Sequence, residues 1–256
     1  MAEKIVSFTH ICMYFGGLKA IDNLSFEVEK GRILGIIGPN GAGKTTIFNV
    51  LSGVYIPTSG EVNYRGRKLN NIPAHTIAAT GIARTFQNIR LFGGQSVLDN
   101  LKIAYYGHIK YSIFDTLFGT KKFYKEEEKI EKECMNILDY LGLKEFAGHK
   151  AAALPYGVQR RVEIARAIAC KPEVLLLDEP AAGMNPAEID DLNQLILSIR
   201  DHYELTIMLV EHQMRLVMAI CDEILVVNFG KKLAQGKPQE IKNNRDVLEA
   251  YLGKAD

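Results

Sequence analysis

The sequence predicts an α/β fold: a buried, mostly parallel sheet, a β-rich N-terminal part and an inserted helical lobe. Three observations carry this. Short apolar runs of the buried-strand type stand at both ends of the chain, "ILGIIGPNG" in the first half and "EVLLLDEP", "LTIMLVEH" and "EILVVNFG" in the second. Helical stretches separate the later runs, as doubly wound sheets require. Between the two groups, from Val97 to Leu143, the pattern turns helical and more charged.

Taken in order, "KIVSFTH", "LSFEVEKG", "ILGIIGPNG" and "EVNYRGRKL" alternate short apolar runs with Gly or Asn turns and read as strands. "FYKEEEKIEKECMNILDYLGL" then places Ile130, Cys134, Ile137, Leu138 and Leu141 at helical spacing, which sets an inserted helical lobe at approximately 95–165 within a single domain of 1–256. After the three C-terminal apolar runs, "RDVLEAYLG" reads as a closing helix, and no internal repeat or low-complexity segment interrupts the chain.

Composition narrows the function classes. The chain has 256 residues, 47% of them hydrophobic, enough to bury a sizeable core. Lys and Arg total 31 against 30 Asp and Glu, so no global basic field points to nucleic acid or an anionic membrane. Cys12, Cys134, Cys170 and Cys221 form no CxxC pair, which argues against a zinc site or a disulfide framework and suits a reducing compartment. The N-terminal "MAEKIVSFTH" lacks an apolar signal core, and no window approaches the roughly 18 apolar residues of a membrane span. A cytoplasmic location is expected.

Two motifs carry chemistry. "GPNGAGKTT" (Gly38, Pro39, Asn40, Gly41, Ala42, Gly43, Lys44, Thr45, Thr46) matches G-x-x-x-x-G-K-[ST], between the apolar run "ILGII" and the helical "TTIFNVLSG". Glycines let backbone N–H groups face phosphates, a helix N-terminus adds its positive end, Lys44 reaches the β and γ phosphates, and the Thr45 hydroxyl suits Mg²⁺. A nucleotide with Mg²⁺ is the expected ligand. "VLLLDEP" supplies the second half. Side chains alternate along a strand, so Asp178 and Glu179 are expected to diverge, Asp178 toward Mg²⁺ and Glu179 toward the attacking water.

With "GPNGAGKTT", "LLLDEP" and "LPYGVQRRVEIARA" together, the chain resembles the ATP-binding subunits of ABC transporters over nearly its whole length. The resemblance implies a P-loop NTPase fold of the ABC type with a β-rich N-terminal subdomain and an inserted helical subdomain. It implies that Gln87 in "ARTFQNIRLF" senses Mg²⁺ and the γ-phosphate and couples to the membrane subunit. His212 in "LVEHQM" matches the histidine at the γ-phosphate. Phe15 in "MYFGGLKAI" matches the aromatic that stacks on adenine, with Tyr14 as the neighbouring alternative. The family's partners follow: integral membrane permease subunits, a second ATPase subunit, identical or a sibling, and indirectly a periplasmic or extracellular substrate-binding protein. They place the chain at the inner face of the cell membrane.

Two stretches compete for the family's signature, which completes the active site of a partner copy. "LFGGQ" (residues 91–95) looks the closer match, but the signature opens a helix, runs into basic residues and "ARA", and lies about twenty residues before the acidic strand end. "LPYGVQRRVEIAR" meets these conditions, with Gly157 21 positions before Asp178, so "LFGGQ" reads as a loop and helix entry. Pro155 stands where serine is usual, Tyr156 replaces the first glycine and Val158 the glutamine. Contact with the partner's ATP therefore rests on Gly157, backbone N–H groups and the helix N-terminus. Asn185 in "AAGMNP" replaces the usual Asp of the dimer-contact loop.

"RTFQNIRLFGGQSVLDNL" and "DEPAAGMNPAE" resemble the branch that powers branched-chain amino-acid uptake, and ATPases of lipopolysaccharide export share much of this wording. Rival readings are a soluble ABC-type ATPase of DNA repair or translation, which usually carries two units or a long coiled coil, and a kinase or GTPase, for which "LPYGVQRRVEIAR" has no use. The aromatic-rich Tyr105–Tyr124 stretch is expected either to face the membrane partner or to pack inside the helical lobe.

Overall fold

A computed structural model describes residues 3–109 and 111–252. The chain divides into two compact units, residues 1–84 with 173–256, and residues 85–172.

The first unit holds both sheets found among the described residues. β1 (Lys4–Phe15) and β2 (Leu18–Glu29) form an antiparallel pair across a tight turn at Gly16, whose φ of 56 belongs to the left-handed region glycine tolerates. Alternation puts one face inside: Val6, Phe8, Leu24, Phe26 and Val28 are buried, and the Phe8 and Phe26 rings stack at 4.5 Å. β3 (Ile33–Ile37) leads through the glycine loop into α1 (Lys44–Leu51). β4 (Ser59–Tyr64) pairs with the free edge of β1, and the short β5 (Arg67–Lys68) with β4, giving the order β2-β1-β4-β5. α2 (Ala74–Ala79) and β6 (Ile82–Arg84) end this part of the chain.

The second unit is helical, with α3 (Val97–Tyr105), α4 (Ile113–Leu117), α5 (Lys121–Tyr140) and α6 (Tyr156–Ala169). α5 buries Ile130, Cys134, Ile137 and Leu138, the spacing that the sequence showed, while its other faces carry Lys and Glu. The aromatic stretch splits. Tyr105 is buried and Tyr111 packs edge-on against Phe123, whereas Phe114 and Phe118 are both 73% exposed. Lys110 lies outside the described residues. The "LFGGQ" stretch is loop: Gly93 and Gln95 carbonyls accept from Ala152 and Ala151 N–H groups before Ser96 caps α3.

The chain re-enters the first unit with β7 (Val174–Asp178), α7 (Pro186–His202), β8 (Thr206–Val210), α8 (Met214–Ile220), β9 (Glu223–Asn228), β10 (Lys231–Gly236), α9 (Pro238–Lys242) and α10 (Arg245–Leu252). The second sheet has the order β10-β9-β3-β8-β7-β6, parallel except for the antiparallel edge strand β10. β3, β7 and β8 are buried at every position, which is why they read as unbroken apolar runs. α1 lies in the apolar core between the sheets: Ile47, Phe48 and Leu51 join Ile11, Ile21 and Leu24 of the first sheet and Ile36, Leu176, Val210 and Leu225 of the second.

This topology positions the site. β3, β8 and β7 are neighbours in the sheet but distant in sequence, and parallel strands bring their carboxyl ends to one edge. At or just beyond those ends lie Lys44, which opens α1, His212, and the Asp178–Glu179 pair. Open α/β sheets bind ligands at such an edge.

Candidate active site at the strand ends

The loop from Gly38 to Gly43 is shaped by close backbone approach. A Cβ on Gly38 would lie 2.0 Å from the Val227 carbonyl oxygen, and one on Gly43 2.4 Å from that of Ala20. Neither position admits a side chain. Lys44, the first residue of α1, is 8% exposed and folds back, its Nζ donating to the carbonyls of Gly38 (2.7 Å) and Pro39 (3.0 Å). Burial pulls its pKa below the ordinary value, opposed by the charges of Glu179 and Asp178. The first N–H groups of α1 have no intrahelical partner.

An open cleft of about 380 Å³ lies over this loop, lined by Asn40, Gly41, Ala42, Gly43, Lys44, Thr45 and Thr46, with Glu179 on one side. Phe15 stands at its rim, 41% exposed and edge-on to Tyr55 at 5.1 Å. Tyr14 does not line the cleft; its hydroxyl donates to Asp22 at 3.3 Å. Phe229, 84% exposed in the turn after β9, lines it too. Sequence reasoning missed Phe229, although "NFG" directly after an apolar strand was a readable signal of a turn beside the loops.

β7 ends at Asp178, which is buried and takes the guanidinium of Arg84 on its Oδ2 at 2.8 Å. Arg84 also donates to Asn49 Oδ1 (2.7 Å) and Ser52 Oγ (3.2 Å) of the α1 segment. Glu179 corrects a sequence argument. It is not a strand residue whose side chain alternates with that of Asp178; it leaves the strand at φ 46, held by its N–H to the Val210 carbonyl at 2.8 Å. Asp178 is paired with Arg84 while Glu179, in that left-handed turn, lines the cleft over the glycine loop; the turn is a conformation costly for a non-glycine residue.

His212 follows β8, its Nδ1 3.7 Å from Glu179 Oε2 and 3.8 Å from Glu211 Oε2. Glu211, fully buried, accepts the N–H groups of Ala181 (2.8 Å), His212 (2.9 Å) and Gln213 (3.0 Å), tying the loop after Glu179 to the His212 turn. Nothing in the motifs singled out Arg84 or Glu211. Asn185 caps α7, its Oδ1 accepting from Ala187 and Glu188, and Glu188 completes a capping box. Its side-chain oxygen is thus engaged within its own chain.

Lys44, Thr45, Glu179 and Phe15 are thus brought to one cleft, with Asp178 and His212 at the adjoining strand ends. Gln87 and Gly157 belong to the second unit. Gln87 gives its carbonyl to Arg160 Nη2 at 2.7 Å, and Gly157 is in the first turn of α6, whose N-cap Pro155 offers no side-chain bond.

Residues 21–182, which carry the glycine loop, Lys44 and Glu179, match the family model described as "ABC transporter". The chain belongs to the ABC transporter family. Its fold is that of the family's ATP-binding cassettes: it superposes on the ADP conformation of MJ1267, an ATP-binding cassette of an ABC transporter, with a TM-score of 0.85 and 32% identity, covering 98% of this chain and 100% of that one. A second model, "Branched-chain amino acid ATP-binding cassette transporter", matches residues 231–256. Among curated relatives, LivG of Salmonella typhimurium, a high-affinity branched-chain amino acid transport ATP-binding protein, is 46% identical over 255 residues, covering 100% of both chains. BraF of Pseudomonas aeruginosa, of the same description, is 44% identical over the same span.

Proposed function

We propose that the chain is the ATP-hydrolysing subunit of an ABC importer for branched-chain amino acids. The observation that carries the enzymatic reading is the cleft in which the Lys44 loop and Glu179 face each other. Full-length likeness to LivG and BraF supports the cargo. The same likeness favours this reading over lipopolysaccharide export and over a soluble ATPase of repair or translation.

The site fits ATP. A loop closed to side chains at Gly38 and Gly43, a buried ammonium and a helix N-terminus suit a polyphosphate, and Phe15 at the rim suits the base. For Mg²⁺ the fit is that of a metal carried with the phosphates. Among the described residues no cluster of three or more His, Cys, Asp or Glu could hold an ion alone, while Thr45 and Asp178 offer hard oxygens. When bound, Mg²⁺ would offset phosphate charge; Thr45 and Asp178 would hold it, and the family resemblance adds Gln87 as a residue that senses it.

On this reading Lys44 holds the phosphates and Glu179 accepts a proton from the attacking water. His212 sits within reach of Glu179 to orient that exchange, and Gly157 of a second copy closes the site with backbone N–H groups. Among the described residues no helix is long and apolar enough to cross a membrane. Likeness to importer ATPases supports separate permease subunits as the partners that move the cargo. Residues 85–172 act as the family's helical lobe, with exposed Phe114 and Phe118 directed to the permease. The test is Mg-ATP hydrolysis by the purified chain and leucine uptake by the assembled transporter in vesicles. Lys44→Ala must abolish both; hydrolysis that survives it refutes the site.

A further inference from the structure

One face of α6 fastens the Gln87 loop. Arg160 is fully buried and Glu163 is 1% exposed. Arg160 Nη1 donates to Glu163 Oε2 (2.6 Å) and to the Phe86 carbonyl (2.7 Å); Nη2 donates to the Gln87 carbonyl (2.7 Å) and the Tyr156 hydroxyl (3.2 Å). Glu163 Oε1 accepts the N–H groups of Phe86 (3.3 Å) and Arg90 (3.4 Å). Arg166, on the same face, donates to the Arg90 carbonyl.

A buried ion pair is a poor device for stability, because apolar side chains of similar volume often do as well or better. This pair spends its hydrogen bonds on the main chain of residues 86–90, and a guanidinium fork suits two consecutive carbonyls as an ammonium does not. Arg160 Nε finds no partner among the described residues, so the arrangement is not one that maximises satisfied groups. Its other end reaches Tyr156, which directly precedes Gly157.

We propose that the Arg160–Glu163 pair is a positioning device that holds the backbone of Gln87 against the helix opening at Gly157. The inference rests on the roles assigned above to Gln87 and Gly157. Charge-assisted hydrogen bonds from both partners fix the loop at three backbone positions, and in a water-poor site they resist displacement strongly.

The test uses the full chain with two conservative variants. Arg160→Lys keeps a charge beside Glu163 but cannot span both carbonyls; Glu163→Gln turns an N–H toward either Arg160 or the loop's own donors. Hydrogen exchange at the Phe86 and Arg90 amides should rise at least tenfold in each. The dissociation constant for ATP should stay within twofold while kcat falls at least tenfold, a split that general destabilisation would not give. If either variant fails to fold, the double variant Arg160→Met with Glu163→Leu, which fills the space without holding the loop, is measured in the same way. Unchanged exchange at both amides in a folded variant overturns the proposal, as does raised exchange with kcat within twofold of the parent. Gln87→Ala, measured alongside, tests the role of Gln87 separately: full turnover there removes that role, while the exchange data still decide whether the pair holds the loop.

Discussion

At the scale of single residues, Glu179 combines the acid with a backbone that turns its side chain out of the sheet. Glu179→Gln should keep ATP binding, because the Lys44 loop is untouched, and lower turnover by about 10²–10⁴-fold, the span of general-base catalysis. A steady-state assay with a parallel binding titration checks both halves. Arg84 is the counter-ion of a buried carboxylate, and Arg84→Met leaves Asp178 without its guanidinium. Breaking one side of such a pair costs about 3–5 kcal/mol, so the melting temperature should fall markedly in a calorimetric scan. Cysteine reactivity follows the same logic. The polar side chains of Tyr14 and Ser59 beside it hold the Cys12 thiol below its ordinary range, whereas burial pushes Cys134 up to about 12 and raises Cys221 as well. At pH 8 Cys12 should be alkylated first and Cys134 and Cys221 last, as peptide mass spectrometry would show.

At the scale of elements, α4 presents an apolar face that its own unit leaves open. Ile113, Phe114, Leu117 and Phe118 are all exposed, while the Ser112–Asp115 capping box fixes the turn that displays them. A photo-cross-linker at Phe114 or Phe118 should capture the permease in the assembled transporter; labelling of neither permease chain would rule out this surface. The sequence disclosed the strands here more fully than the joints. β3, β7 and β8 are buried on both faces and so appear as apolar runs, and the glycine loop carries its own spacing. Arg84, Glu211, Arg160 and Glu163 each have at least one partner tens of residues away, as Arg84 has Asp178 or Arg160 has Phe86, and those distant pairings leave no mark in the local sequence. The turn at Glu179 was hidden for another reason: "LLLDEP" reads as continuous strand, and only the bond from its N–H to Val210 shows where the strand stops.

At the scale of the whole molecule, the proposed function makes each active site a shared one, with Lys44 and Glu179 from one copy and Gly157 from the other. A side chain at Gly157 should block the approach of a γ-phosphate to the first turn of α6, and an aspartate adds repulsion. Gly94, whose Cβ position meets nothing within 4 Å, should tolerate the same change. The measurement that decides this is size-exclusion chromatography of the Glu179→Gln protein with Mg-ATP, alone and combined with Gly157→Asp or Gly94→Asp, each paired with an ATP-binding titration. A dimer is expected for Glu179→Gln and for its combination with Gly94→Asp, and a monomer that still binds one ATP for its combination with Gly157→Asp. A dimer that survives Gly157→Asp, or one lost with Gly94→Asp, would contradict the shared site.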